Sequence, residues 1–137
     1  MRVAYFLDSN ILIYAAAGRS DAPSKFLRAT EILANGDFGV SSQVLQEFYV
    51  NVTRKPTIPL SAHDAFLWVE RLALQPCATI DATLVKNGIV LSERYKISYW
   101  DGAIIAAADC LGAETVYSED LNHGQAYGSV RVVNPFR

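Results

Sequence analysis

Short apolar runs alternate with amphipathic stretches along the whole of this chain, and that alternation most limits what it can fold into. Residues 3–7, 38–41, 77–80, 114–118 and 130–133 read as strands, and helical spacing fills most of the intervals between them. Strands that alternate with helices imply an α/β fold with a short, mainly parallel sheet flanked by helices on both faces. At 137 residues, with no internal repeat and no low-complexity tract, the chain is expected to be a single domain spanning 1–137.

Local signals divide the intervals. Ser20 or Asp21 is expected to cap a helix with Pro23 in its first turn, Phe26, Ala29 and Leu33 on one stripe and Gly36 as its stop. Ser42 is expected to cap the next helix, whose apolar face is Val44, Leu45, Phe48 and Val52. Pro56 and Pro59 make 55–60 a connector. Ser61 opens a helix with Ala62, Ala65, Phe66, Val69, Leu72 and Ala73 at three-four spacing, which predicts a buried stripe. Asp81 and Asp101 each begin another helix, the second closed by Gly112.

Composition narrows the classes. The apolar share of 51% and charged share of 19% suit a compact α/β protein that hides further surface against a partner. A net charge of -2 counts against a basic, non-specific nucleic-acid binder but leaves room for a nuclease with clustered acids. Cys77 and Cys110 sit among apolar neighbours and are expected to be small buried residues in a reducing compartment, without zinc spacing or a disulfide. No signal-peptide pattern opens the chain and no apolar run approaches the roughly 20 residues that span a bilayer. The expected location is cytoplasmic, with no membrane partner.

Four acids occupy unusual positions. The run 3–7 ends at Asp8 and turns at once into a helix, and Asp120 follows the run 114–118. Asp101 starts a helix, and Glu47 lies between Val44 and Phe48 on a helix that should face the core. Each has an ordinary explanation taken alone: helix caps for Asp8 and Asp101, a solvated edge for Glu47, a turn for Asp120. One acidic pocket at the C-terminal edge of the sheet, where ligands bind in open α/β folds, accounts for all four. Two carboxylates ~4 Å apart repel by about 4 kcal/mol at an effective dielectric of about 20, so such a pocket needs shared protons or a cation. An all-oxygen set suits Mg²⁺ or Mn²⁺ and disfavours zinc. Water attack on a phosphodiester is the natural chemistry of such a site.

At these residues the chain resembles the PIN-domain family, and within it the VapC toxins of type II toxin-antitoxin systems. The matching segments are Leu7-Asp8-Ser9-Asn10-Ile11-Leu12, Val44-Leu45-Gln46-Glu47-Phe48, Tyr99-Trp100-Asp101-Gly102-Ala103-Ile104-Ile105-Ala106-Ala107-Ala108 and Tyr117-Ser118-Glu119-Asp120-Leu121, in family order. The resemblance implies a Mg²⁺- or Mn²⁺-dependent endoribonuclease, homodimeric, acting on RNA and silenced by a cognate antitoxin. It implies products with a 5′-phosphate and a 3′-hydroxyl. By position it makes Asp8 and Asp101 metal ligands, Glu47 the helix-borne acid and Asp120 the fourth acid. Ser118 becomes the hydroxyl that orients the pocket, and Asn10 the support of Asp8. Glu119 stands beside Asp120, and the sequence leaves open which of the two faces the site.

Other residues read as ordinary. His123 and His63 are expected on the surface, and Trp68 and Trp100 in packing rather than as base-stacking platforms. Arg19, Arg54, Lys55, Arg94 and Lys96 lie near element ends as candidates for guiding RNA. A phospho-acceptor domain needs a lysine on the last strands, where 130–134 offers only Arg131. An aspartyl phosphatase needs a second acid where Asn10 stands. A PIN nuclease of RNA processing and a non-catalytic metal- or RNA-binding domain remain as alternatives.

Overall fold

The parallel strands of this protein leave the sheet at the same edge, and that edge gathers the residues of interest. The computed structural model describes residues 2–137. Its elements run β1 (Tyr5–Leu7), α1 (Ser9–Ala17), α2 (Pro23–Asn35), β2 (Phe38–Ser41), α3 (Ser42–Val52), α4 (Ala62–Leu72), β3 (Cys77–Ala78), α5 (Ala82–Tyr95), α6 (Tyr99–Cys110), β4 (Thr115–Tyr117), β5 (Ala126–Tyr127) and β6 (Val130–Val133). The sheet order is β3-β2-β1-β4-β6-β5. All pairings are parallel except the β5–β6 hairpin. The α/β fold expected from the alternation is the one found.

The chain moves from β1 outward to β2 and β3, then returns to place β4 on the other side of β1. The gap between the C-terminal ends of β1 and β4 is therefore the point where strand order reverses, the usual ligand crevice of an open sheet. Register fixes what stands there. Leu7 pairs with Tyr117, so Asp8 and Ser118 emerge side by side, and the Asp8 amide donates to the Tyr117 carbonyl (3.1 Å).

The central strands are buried at their centres, with Phe6, Leu7, Val40, Val116 and Val132 inaccessible. Such double-sided burial is why they read as continuous apolar runs rather than alternating ones. Gly39 weakens the β2 pattern yet belongs in it, because a Cβ there would lie 2.6 Å from Leu111 Cδ1. Helix α6 is the most buried helix, inaccessible on every side from Gly102 to Ala108. It packs on α5 so closely that a Cβ on Gly102 would stand 2.5 Å from the Gly88 carbonyl oxygen.

Several expectations shift. Ser41, not Ser42, caps α3, its hydroxyl accepting from the Val44 amide (3.2 Å). Neither Ser20 nor Asp21 caps α2, which starts after Ala22 without a side-chain cap. Asp21 instead accepts from the Thr57 amide (2.9 Å) and ties down the proline connector. On α2 the fully buried residues are Ala29 and Ile32, with Phe26 and Leu33 half-buried at the flanks. Asp101 does not open α6: Ser98 caps it, which puts Asp101 in the first turn. Cys77 is half-buried as a two-residue strand begins, and Cys110 is exposed at the end of α6.

The α4 stripe departs furthest from expectation. Only Ala65 and Leu72 are buried there, whereas Phe66, Leu67 and, just past the helix, Leu74 face solvent. Beside them lies a groove of about 790 Å³ lined by Leu33, Phe38, Leu60, Leu67, Trp68 and Leu74 among others. Among the described residues no helix is long and apolar enough to cross a membrane.

Candidate active site

Asp8 is both a helix cap and a pocket acid, one oxygen for each task. Its Oδ1 accepts from the Ser9 amide (2.7 Å) at the start of α1. Its Oδ2 accepts from the Ser118 hydroxyl (2.7 Å), delivered by β4. Asn10, in the first turn of α1, reaches across the crevice: its Nδ2 donates to Asp120 Oδ2 (3.1 Å) and lies 3.4 Å from Ser118 Oγ and 3.5 Å from Asp8 Oδ2. The loop after β4 is folded back by the Asp120 amide, which donates to Ser118 Oγ (3.1 Å).

That loop resolves the choice between its two adjacent acids. Glu119 turns away from the crevice toward α1 and α2, where it accepts from Lys25 Nζ (2.8 Å) and from the Tyr14 hydroxyl. Asp120 turns inward to Asn10. Lys25 also lies over the rings of Tyr14 and Phe136, so Glu119 is neutralised within a packed cluster. Expected beside Asp120 as a possible pocket acid, Glu119 serves instead to anchor the loop.

Two more acids come from helices. Helix α6 precedes β4 and runs opposite to it, so its first turn, with Asp101, sits at the C-terminal edge of the sheet. Helix α3 starts from that same edge after β2 and carries Glu47 in its second turn. Gln43, one turn before Glu47, is buried; its Nε2 donates to Glu47 Oε2 (3.4 Å) and to the Trp100 carbonyl (3.2 Å), linking α3 to α6.

The charges of these groups act on one another. Burial pushes the Asp8 carboxyl up to about 6; hydrogen bonds from Ser118 and Ser9 oppose the rise, and the charges of Glu47 and Asp120 add to it. Burial also raises Asp101 above the ordinary carboxylate value, with Asp120 adding to the effect. Among the described residues the ion pairs are Arg2–Glu114 and Lys25–Glu119, and neither reaches Asp8, Glu47, Asp101 or Asp120. The pocket is thus a concentration of uncompensated negative charge whose donors are all oxygens, the donor chemistry of a hard divalent cation. Among the described residues no three acidic, imidazole or thiol side chains already stand close enough to enclose a metal.

The family model described as PIN domain matches residues 5–128. This chain belongs to the PIN domain family. No curated protein sequence matches it. Solved PIN-like toxin structures resemble it across nearly their whole length. VapC20 of Mycobacterium tuberculosis, described as a sarcin-ricin loop cleaving toxin, aligns with a TM-score of 0.68 at 19% identity, over 93% of this chain and 98% of that one. A toxin-antitoxin complex from Klebsiella pneumoniae aligns with a TM-score of 0.68 at 20% identity, over 96% and 97%. FitAcB from Neisseria gonorrhoeae gives 0.61 at 21%, over 96% and 98%. At these identities the likeness is one of fold.

Within this PIN domain, sequence reasoning overlooked Tyr14, Lys25 and Gln43. Gln43 stands four residues before Glu47 on one helical face, a spacing that brings side chains together and that was there to be read. Nothing near Lys25 in sequence points to Glu119, 94 positions away. His123 takes a structural part: its Nδ1 accepts from the Asn134 amide (2.9 Å). His63 is exposed, and Trp68 packs beside Phe48 with ring centroids 6.1 Å apart, both as expected. Trp100 is the exception, 63% exposed beside Asp101.

Proposed function

We propose that this PIN domain is a Mg²⁺- or Mn²⁺-dependent endoribonuclease and the toxin of a toxin-antitoxin pair. The observation that carries the reading is that Asp8, Glu47, Asp101 and Asp120, from four separate segments, act on one another's charge at the strand-order crevice, with no ion pair to balance them among the described residues. Asp8 and Asp101 would hold the cation, with Glu47 and Asp120 completing its surroundings. When bound, the cation supplies charge stabilisation at the phosphate and activation of water. The protein's own groups prepare that site. Ser9 and Ser118 fix both oxygens of Asp8, Asn10 holds Asp120 against the crevice, and Gln43 orients Glu47. Lys25 keeps Glu119 from adding a further charge.

An antitoxin partner accounts for the apolar surface that the fold leaves outside its core, notably the groove along α4. Ile89 and Val90, exposed on α5, give a second apolar surface for the homodimer. The same fold would also serve an RNA-processing nuclease, and the structures it resembles favour the toxin.

The test is cleavage of total cellular RNA with 5′-end mapping, by wild type and Asp101→Asn side by side. Wild type should produce discrete 5′-phosphate ends that require Mg²⁺ or Mn²⁺, and the folded variant should produce none. Cleavage by the variant at the wild-type rate would refute the assignment. Growth arrest on unopposed expression separates a toxin from a processing enzyme.

A further inference from the structure

We infer that the turn between α5 and α6 is a grip for single-stranded RNA, in which Trp100 stacks on a base while Lys96 and Arg94 meet backbone phosphates. The inference rests on the nuclease reading above and names the residues that would lay a strand across Asp101.

Trp100 is out of keeping with its helix. From Gly102 to Ala108 every α6 residue is buried, yet the indole two positions earlier is 63% exposed. It is nonetheless held. The Tyr99 ring packs edge-on against it with centroids 5.1 Å apart. Its own carbonyl is pinned by the buried Gln43, the residue that also orients Glu47. A fixed, solvent-facing aromatic plane adjoining a pocket acid is the form of a base-stacking platform, which every base can use because each presents a π-face.

The charges fall on the same turn. Helix α5 ends where α6 begins, so Arg94 and Lys96 reach solvent at the end of the molecule that carries Asp101. Neither is in an ion pair among the described residues. Lys96 is the one non-glycine residue described with positive φ, at 56°. Glycine or asparagine is the usual occupant of such a helix end, and lysine there is strained. A strained lysine in the short turn before the helix that carries Asp101 is explained by what its ammonium does outside the fold. The acids would repel RNA, and these two cations stand where an approaching phosphate backbone needs them.

Binding separates this grip from the chemistry. The antitoxin-free protein is titrated into fluorescein-labelled single-stranded oligo-A and oligo-U RNA with Ca²⁺ in place of Mg²⁺, and anisotropy is read. Trp100→Ala should weaken binding to both roughly tenfold, and Trp100→Phe should restore most of it. Lys96→Asn suits the left-handed backbone, so it should keep or raise the melting temperature while lowering affinity. It should also flatten the logarithmic salt slope by about 0.7. In Trp68→Phe protein, where Trp100 is the sole indole, saturating RNA should quench its fluorescence. Wild-type affinity in Trp100→Ala, with fluorescence unmoved by RNA, would overturn the inference and leave the nuclease reading intact. A Trp100→Ala protein that loses a dimer seen in wild type would assign the indole to a contact between copies and also overturn it. Binding through Trp100 without any metal-dependent cleavage would support the grip and refute the nuclease. A wild type that binds neither RNA would refute both.

Discussion

A buried acid whose neighbours are acids resists losing its proton, and Asp8 gives that rule a measurable consequence. Its folded-state carboxyl lies near 6, raised chiefly by burial from an ordinary value of 3.8. Between those values the folded protein takes up a proton that the unfolded chain does not. Without metal, the Asp8 contribution therefore favours folding at about pH 4 and is lost as pH rises through 6. In EDTA, Asp8→Asn should gain stability relative to wild type as pH climbs from about 4 to 7, by at most about 3 kcal/mol, and no further above that. Urea midpoints of the two proteins across that range check it; a difference that does not change with pH would show that Asp8 is not the buried anion described. At this scale the sequence was informative about identity and silent about direction. Asp8, Glu47, Asp101 and Asp120 could be picked out because acids at strand ends and on apolar faces are out of place. Which of Glu119 and Asp120 faces the crevice could not, since that depends on Lys25 and Tyr14, far away in sequence.

At the level of elements, helix α6 does two jobs, and its glycine joins them. Gly102 lets α5 and α6 meet backbone to backbone, and it directly follows the acid that α6 delivers to the site. Gly102→Ala would place a Cβ 2.5 Å from the Gly88 carbonyl oxygen, with no flexible side chain to yield. The expected cost is about 2–3 kcal/mol in a denaturation midpoint; a change within about 0.5 kcal/mol would mean that the helices separate freely. Most elements were legible because their apolar periods are clean and their caps conventional, as Ser61 and Asp81 show. The misses have physical causes. Strand β5 is only two residues long, too short for a period, although Gly128-Ser129 is a recognisable hairpin turn before β6. The unbroken burial of α6 from Gly102 to Ala108 erases the one-sided stripe that marks a surface helix, so its periodicity could not show that this stretch is enclosed on every side.

Across the whole molecule, what the α4 pattern could not reveal is that its stripe is divided between two uses. Ala65 and Leu72 close the core and Phe66 looks outward, joined there by Leu67 and Leu74 from outside the stripe. Apolar periodicity reports that a face is destined for burial but not by which molecule. If an antitoxin covers the groove, Leu74→Asp should leave folding within about 0.5 kcal/mol of wild type, because Leu74 is 85% exposed. The same change should weaken antitoxin binding about tenfold or more in a calorimetric titration; undiminished affinity would move the partner elsewhere.

Helix α6 and strand β4 also set a timetable. The crevice exists only once β4 has slid in beside β1, and its fourth acid lies beyond β4. A ribosome therefore makes the first acid more than a hundred residues before the last. Throughout that interval the growing chain carries Asp8, Glu47 and Asp101 without the strand that brings Ser118 and Asp120 to them. The proposed nuclease would therefore be a harmless polypeptide until the segment from β4 to Asp120 has been made and has folded against β1.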